Sequence, residues 1–223
     1  MSVYRGARRA SATRPASSGG HDALASVTSL DVVSVALEGA TVLAAFEVDE
    51  VEDQRRRALG AGAVTSTGLL HALWLLPSAI PVPIAAVPTV KRHRLSNAPS
   101  FVAVRDTEFE RLYAPPGVVR AVGFAKGSAA QRLDRATRFT PIVQRFIVLP
   151  PPARPSRASV MRAEIDGIGV LVEESPVRIV VPAAQAEYGV PAVYRWWLAE
   201  LAYERWLMKT PSRSAEPSGS PGR

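Results

Sequence analysis

SVMRAEIDGIGVLVEESPVRIVV (residues 159–181), followed seven residues later by GVPAVYRWWLAELAYERWLMK (189–209), is the stretch whose reading decides the fold. Asp166-Gly167 separates two aliphatic runs, Ser159 to Ile165 and Ile168 to Glu173. Asp-Gly is a preferred pair for a two-residue hairpin turn, so the spacing predicts Ile165 facing Ile168, Ala163 facing Val170 and Met161 facing Val172. Glu174-Ser175-Pro176 predicts a second turn, and Val177, Ile179 and Val181 extend the same apolar face. Arg162, Glu164 and Arg178 fall on the other side, completing a three-stranded meander.

Pro191 is suited to the first position of a helix, where its missing N–H costs nothing, and the helical pattern runs to about Lys209. At 100° per residue, Tyr194, Trp197, Leu198, Leu201 and Met208 share one stripe, while Trp196, Tyr203 and Leu207 share another. One stripe can cover the meander, each well-buried large side chain contributing about 1.5–3 kcal/mol. The other needs a second partner, either elsewhere in the domain or on another subunit. Trp196, Tyr203 and Leu207 are therefore the candidate interface residues. The fold class expected is α+β, with antiparallel hairpins packed against a long C-terminal aromatic helix.

The 223 residues, 47% of them apolar, are enough for a sizeable core. No cysteine is present, which excludes disulfides, thiol nucleophiles and cysteine-bound zinc. Arginine outnumbers lysine 24 to 3 alongside abundant Ala, Val and Pro, as in chains from GC-rich coding sequence. The net charge of +7 is unevenly placed: residues 85–157 hold 13 Lys or Arg against 4 Asp or Glu, while 23–84 and 158–208 are net acidic. The middle of the chain is thus the candidate anion-binding region.

Residues 1–22 and 209–223 lack apolar periodicity and are expected to be disordered tails around one domain, 23–208. The basic first tail also suits an organelle transit peptide, but a solvated tail is the simpler reading. It has no apolar core of a secretory signal, so a cytoplasmic location is expected. Val33, Val35 and Leu37 before Glu38-Gly39, and Val42, Ala44, Phe46 and Val48 after it, predict a hairpin. A helix over Asp31 to Phe46 competes, but the β-branched residues and Gly39 weigh against it. Asp49 to Arg57, acidic then basic, predicts a short polar helix aligned with its own dipole. Residues 58–90 carry no charged side chain, yet Pro77, Pro81, Pro83 and Pro88 forbid a continuous spanning helix. The expectation there is a helix of about ten residues from near Ser66, then an extended Pro-rich segment on a sheet edge or across the surface, with no membrane contact. Ser100 to Val104 reads as a strand, Asp106 to Leu112 as a short helix and Val118 to Phe124 as a strand. Ser128 caps a helix over Ala129 to Phe139, and Ile142 to Leu149 is a buried strand.

His21, His71 and His93 stand far apart, so no histidine-based metal site is expected. No esterase elbow, dinucleotide fingerprint or phosphate loop occurs. Glu164 and Asp166 trace part of a restriction-endonuclease-like outline, an acidic strand before a strand bearing Glu-x-Lys, but Val180-Val181-Pro182-Ala183 lacks both later groups. No catalytic residue and no cofactor is assigned. The leading expectation is a non-enzymatic protein that contacts nucleic acid or another polyanion through Lys91, Arg92, Arg94, Lys126, Gly127, Ser128, Arg132, Arg135 and Arg138. Arg132, Arg135 and Arg138 recur every third residue as a helical stripe, and Lys126-Gly127-Ser128 stands at the helix start. The alternatives are an assembly protein that dimerises or docks through its Trp- and Tyr-rich helix, and a degenerate nuclease-like domain.

Overall fold

The computed structural model describes residues 19–37, 39–186 and 192–210. Helix α1 (Gly19–Thr28) leads into the hairpin β1 (Asp31–Leu37) and β2 (Ala40–Val48). Its register of Val35↔Val42 and Leu37↔Ala40 is the one the alternation predicts, with Gly39 at φ +76° in the turn. An insertion follows: α2 (Glu50–Ala58), α3 (Thr67–Trp74), β3 (Val82–Pro83), α4 (Thr89–Ser96), β4 (Val102–Arg105) and β5 (Glu108–Arg111). The chain then returns through β6 (Gly117–Phe124), α5 (Ala129–Arg138), β7 (Gln144–Leu149), α6 (Arg157–Ile165), β8 (Gly169–Val172), β9 (Arg178–Val181) and α7 (Ala192–Lys209).

The main sheet has the order β1-β2-β6-β7-β8-β9. Its ends are antiparallel hairpins and its centre is parallel, because α5 and α6 carry the chain back between β6, β7 and β8. Side chains alternate between two cores. Val33, Val35, Ala44, Phe46, Ile147 and Val170 meet α5, α6 and α7 through Leu133, Ala136, Ala163, Leu198 and Tyr203. On the opposite face Val32, Leu43, Ala45, Phe146, Val148 and Leu171 pack against Ala23 and Leu24 of α1. The long C-terminal helix roofs the sheet, but chiefly over β1, β2 and β6 rather than over the closing strands expected beneath it, and Tyr194 and Met208 of the expected apolar stripe are exposed.

The insertion has its own sheet, β3-β5-β4, and its own core of Leu70, Leu73, Leu76, Leu95, Phe101 and Phe109. Ser66 caps α3, and the proline-bearing β3 lies at the sheet edge, both as the sequence predicts. Among the described residues no helix is long and apolar enough to cross a membrane.

Three expectations are corrected. Residues 159–165 form helix α6 rather than a strand, so the closing sheet consists of β8 and β9 alone. Ser156 caps α6, and Asp166-Gly167 ends it: Gly167 adopts φ +64°, and Ile168 N–H reaches back to Ala163 O at 2.8 Å. A left-handed glycine serves a helix terminus as well as a hairpin, so the pair does not distinguish them. Residues 108–111 form strand β5 rather than a helix, turned from β4 at Asp106, φ +46°. Residues 19–22, expected in the leading tail, begin α1. The rest of that tail, residues 211–223 and the helix start at Pro191 lie outside the described residues.

Candidate anion-binding surface

Strand β6 ends at Phe124 and delivers Lys126 to the carboxyl end of the parallel strands, where α5 begins. Ser128 Oγ accepts from Gln131 N–H and Gln131 Oε1 accepts from Ser128 N–H, a complete capping box. These N–H groups therefore already have partners, and Gly127-Ser128 is first a helix cap. No acidic side chain occupies the first turn of α5, where one would offset the helix dipole.

The cations gather around this loop. Arg132 Nε donates to Gly127 O at 2.8 Å and its Nη1 donates to Val148 O. Arg135 Nη1 donates to Lys126 O at 3.1 Å, and Lys126 Nζ reaches Thr41 Oγ1 at 3.3 Å. Arg138 is exposed one turn further on. Asp134, the one carboxylate of α5, is bound by Arg162 of α6 at 2.8 Å. Lys126, Arg132 and Arg135 thus form one basic surface at the start of α5, with Arg138 exposed at the far end of the same helix.

Behind it lies a cleft of about 340 Å³ between α1, the start of β2 and the ends of β6, β7 and β8. Lys126, Arg132, Thr41, Glu173, His21 and Ser34 line it. His21 Nε2 lies 3.0 Å from Ser34 Oγ. Its placement corrects the assignment of His21 to a tail. Burial and then the Lys209 charge lower the His21 pKa from its ordinary value. Burial raises the pKa of Glu173 against the opposing pull of Arg132, while burial lowers that of Arg132 against the pull of Glu173.

Lys91, Arg92 and Arg94 are not part of this surface. They stand on α4 in the insertion, which leaves the main sheet at Val48 and rejoins it at Gly117, the end of β6 remote from Lys126. Arg92 donates to Val87 O at 2.8 Å and Ala85 O at 3.0 Å, and Arg94 lies over Gly68 of α3. The sequence places these seven cations in one basic segment, but the fold divides them between the two ends of a strand.

The candidate interface stripe faces inward. Tyr203 is fully buried, its hydroxyl donating to Asp53 Oδ1 at 2.7 Å. Trp196 packs beside Tyr113 with ring centroids 5.3 Å apart and beneath Arg111, and Leu207 is half-buried against the main core. The second partner that the two stripes require is supplied by α2, the insertion and the sheet.

Sequence reasoning missed a buried ionic node. Arg56 and Glu200 are both fully buried, joined by two parallel bonds of 2.9 Å and 2.8 Å. Arg56 Nε also donates to Glu52 Oε1 at 2.7 Å, and its Nη2 donates to Ala114 O at 2.9 Å. Glu200 accepts further from Tyr113 O–H at 2.9 Å and Val64 N–H at 2.7 Å. Burial opposes the charge on Arg56, but Glu200 and Glu52 more than offset this and raise its pKa. The one sequence signal was Glu200 within an apolar helical stripe. Arg56, within Arg55-Arg56-Arg57, gave none.

No family model matches the chain. No curated protein and no solved structure matches it at a significant level either. Among the described residues no three His, Asp or Glu side chains converge as metal ligands would. Glu164 sits on helix α6 and Asp166 at its cap, so the strand-borne acidic pair of the nuclease outline does not form there.

Proposed function

We propose that this is a non-enzymatic binding protein that holds nucleic acid by its phosphate backbone, through Lys126, Arg132, Arg135 and Arg138. The observation that carries this reading is the contiguity of Lys126, Arg132 and Arg135 around one loop, with Arg138 exposed further along α5 and the helix's carboxylate, Asp134, bound by Arg162. Lys126, Arg135 and Arg138 are exposed, so counter-ions there can be displaced by phosphates. The amide of α5, Gln131, is held in the capping box and its carboxylate, Asp134, is bound by Arg162, so binding is predominantly independent of sequence.

The test is a fluorescence-anisotropy titration of a labelled single-stranded dodecamer at several salt concentrations. With three or four phosphates neutralised, log K falls against log salt with a slope of about −2 to −3, from a Kd of about 10⁻⁴ to 10⁻⁶ M. A slope near zero, or no binding at low salt, removes the reading.

A further inference from the structure

The cleft behind the basic surface is more than a continuation of it. A groove that only tracked a phosphate backbone would be lined by cations alone. This one also contains Glu173, which follows β8 and sits beside the first turn of α1: a Cβ on Gly20 would come within 3.3 Å of its Oε1. Arg132 favours the charged carboxylate in that position, while burial and Asp22 in the first turn of α1 oppose it. Either way Glu173 presents carboxyl oxygen that can accept from a hydrogen-bond donor. Leu43, Ala125 and Pro150 supply an apolar wall, and Lys126 stands at the mouth with Thr41. The volume of about 340 Å³ falls within the range of small-ligand sites, and the carboxyl ends of parallel strands are where open sheets bind ligands.

The geometry points to a single-nucleotide site: a phosphomonoester against Lys126 and Arg132, with a sugar hydroxyl or base amino group donating to Glu173 and the flat base on the apolar wall. The phosphomonoester comes from a free nucleotide or from the 5′ end of a strand lying along α5. This assignment rests on the nucleic-acid reading and gives the same surface an end-binding subsite. His21 and Ser34, hydrogen-bonded to each other, complete the polar side of the cleft.

The experiment is isothermal titration calorimetry of the full chain with adenosine 5′-monophosphate, adenosine and inorganic phosphate, beside anisotropy with 5′-phosphorylated and 5′-hydroxyl dodecamers. Adenosine 5′-monophosphate is expected to bind at least about tenfold tighter than either fragment, because it alone meets both ends of the cleft. Lys126→Ala and Glu173→Ala should each weaken it about tenfold, with melting by circular dichroism confirming that both fold. Arg138→Glu, at the far end of α5 from Lys126, should weaken the dodecamer and leave the mononucleotide unchanged. A gain from the 5′-phosphate on the dodecamer assigns the ligand to strand ends, and its absence with tight mononucleotide binding assigns it to the free nucleotide. Mononucleotide binding no tighter than inorganic phosphate, or undiminished in Lys126→Ala, overturns the assignment. If the dodecamer still binds through Arg135 and Arg138 in that case, the subsite falls and the nucleic-acid reading stands.

Discussion

Arg56 is the residue on which most of the chain converges. Its guanidinium joins α2 to α7 through Glu200 and to the returning strand through Ala114 O, under the rings of Phe101, Tyr113 and Tyr203 at 5.2 to 5.5 Å. Removing one partner of such a pair strands a buried charge, whereas the intact pair gains little over apolar packing. Arg56→Ala is therefore expected to lower stability by about 3–5 kcal/mol in urea unfolding, and Tyr113→Phe by only about 1 kcal/mol. Equal and small losses would show that the node carries no special weight. Glu173 behaves oppositely, since burial raises its pKa and the folded chain binds its proton more readily than the unfolded one. The stability it contributes is complete below the ordinary value of 4.5 and is lost as pH rises through the folded value. Glu173→Gln should therefore melt with the parent at acid pH and above it at neutral pH. A variant that melts lower at pH 7 would mean that the attraction of Arg132 outweighs burial.

At the scale of the element, α6 shows where local sequence is ambiguous. Its Met161 and Ile165 are exposed and Ala163 is buried, a helical pattern that reads equally as alternation over so short a run. The Asp166-Gly167 pair then favours whichever partner is already assumed. Gly167 at φ +64° would also bring a Cβ within 2.8 Å of Ala184 Cβ. Gly167→Ala should cost about 1–2 kcal/mol for the left-handed backbone alone. No loss on thermal melting would mean that the helix ends differently. By contrast β1–β2, α2, α3, β6, α5 and β7 were legible, because each has an unbroken period and a capping or turn residue at its boundary. The candidate site was half legible. Lys126, Arg132 and Arg135 are close in sequence and remain together in space around the start of α5, with Arg138 further along the helix. Glu173 and His21 reach the cleft from distant elements, and no local pattern marks such a meeting.

Across the whole molecule, α7 reconciles the two bodies that the sequence presents as one. Its stripes are taken by two cores, the main sheet through Leu198, Ala202 and Trp206 and the insertion through Val193 and Trp196. The same division separates the cations of α4 from those of α5. A basic segment in sequence is thus two basic places in the fold, and the one around Lys126 backs onto a cleft lined with polar groups. The most direct measurement compares two charge reversals in dodecamer binding at low salt: Lys126→Glu, Arg135→Glu and Arg138→Glu together, against Lys91→Glu and Arg94→Glu together. The first set should abolish binding, while the second should leave the Kd within about twofold to threefold of the parent through its long-range field alone. Full binding by the first set, with loss in the second, would contradict the central claim.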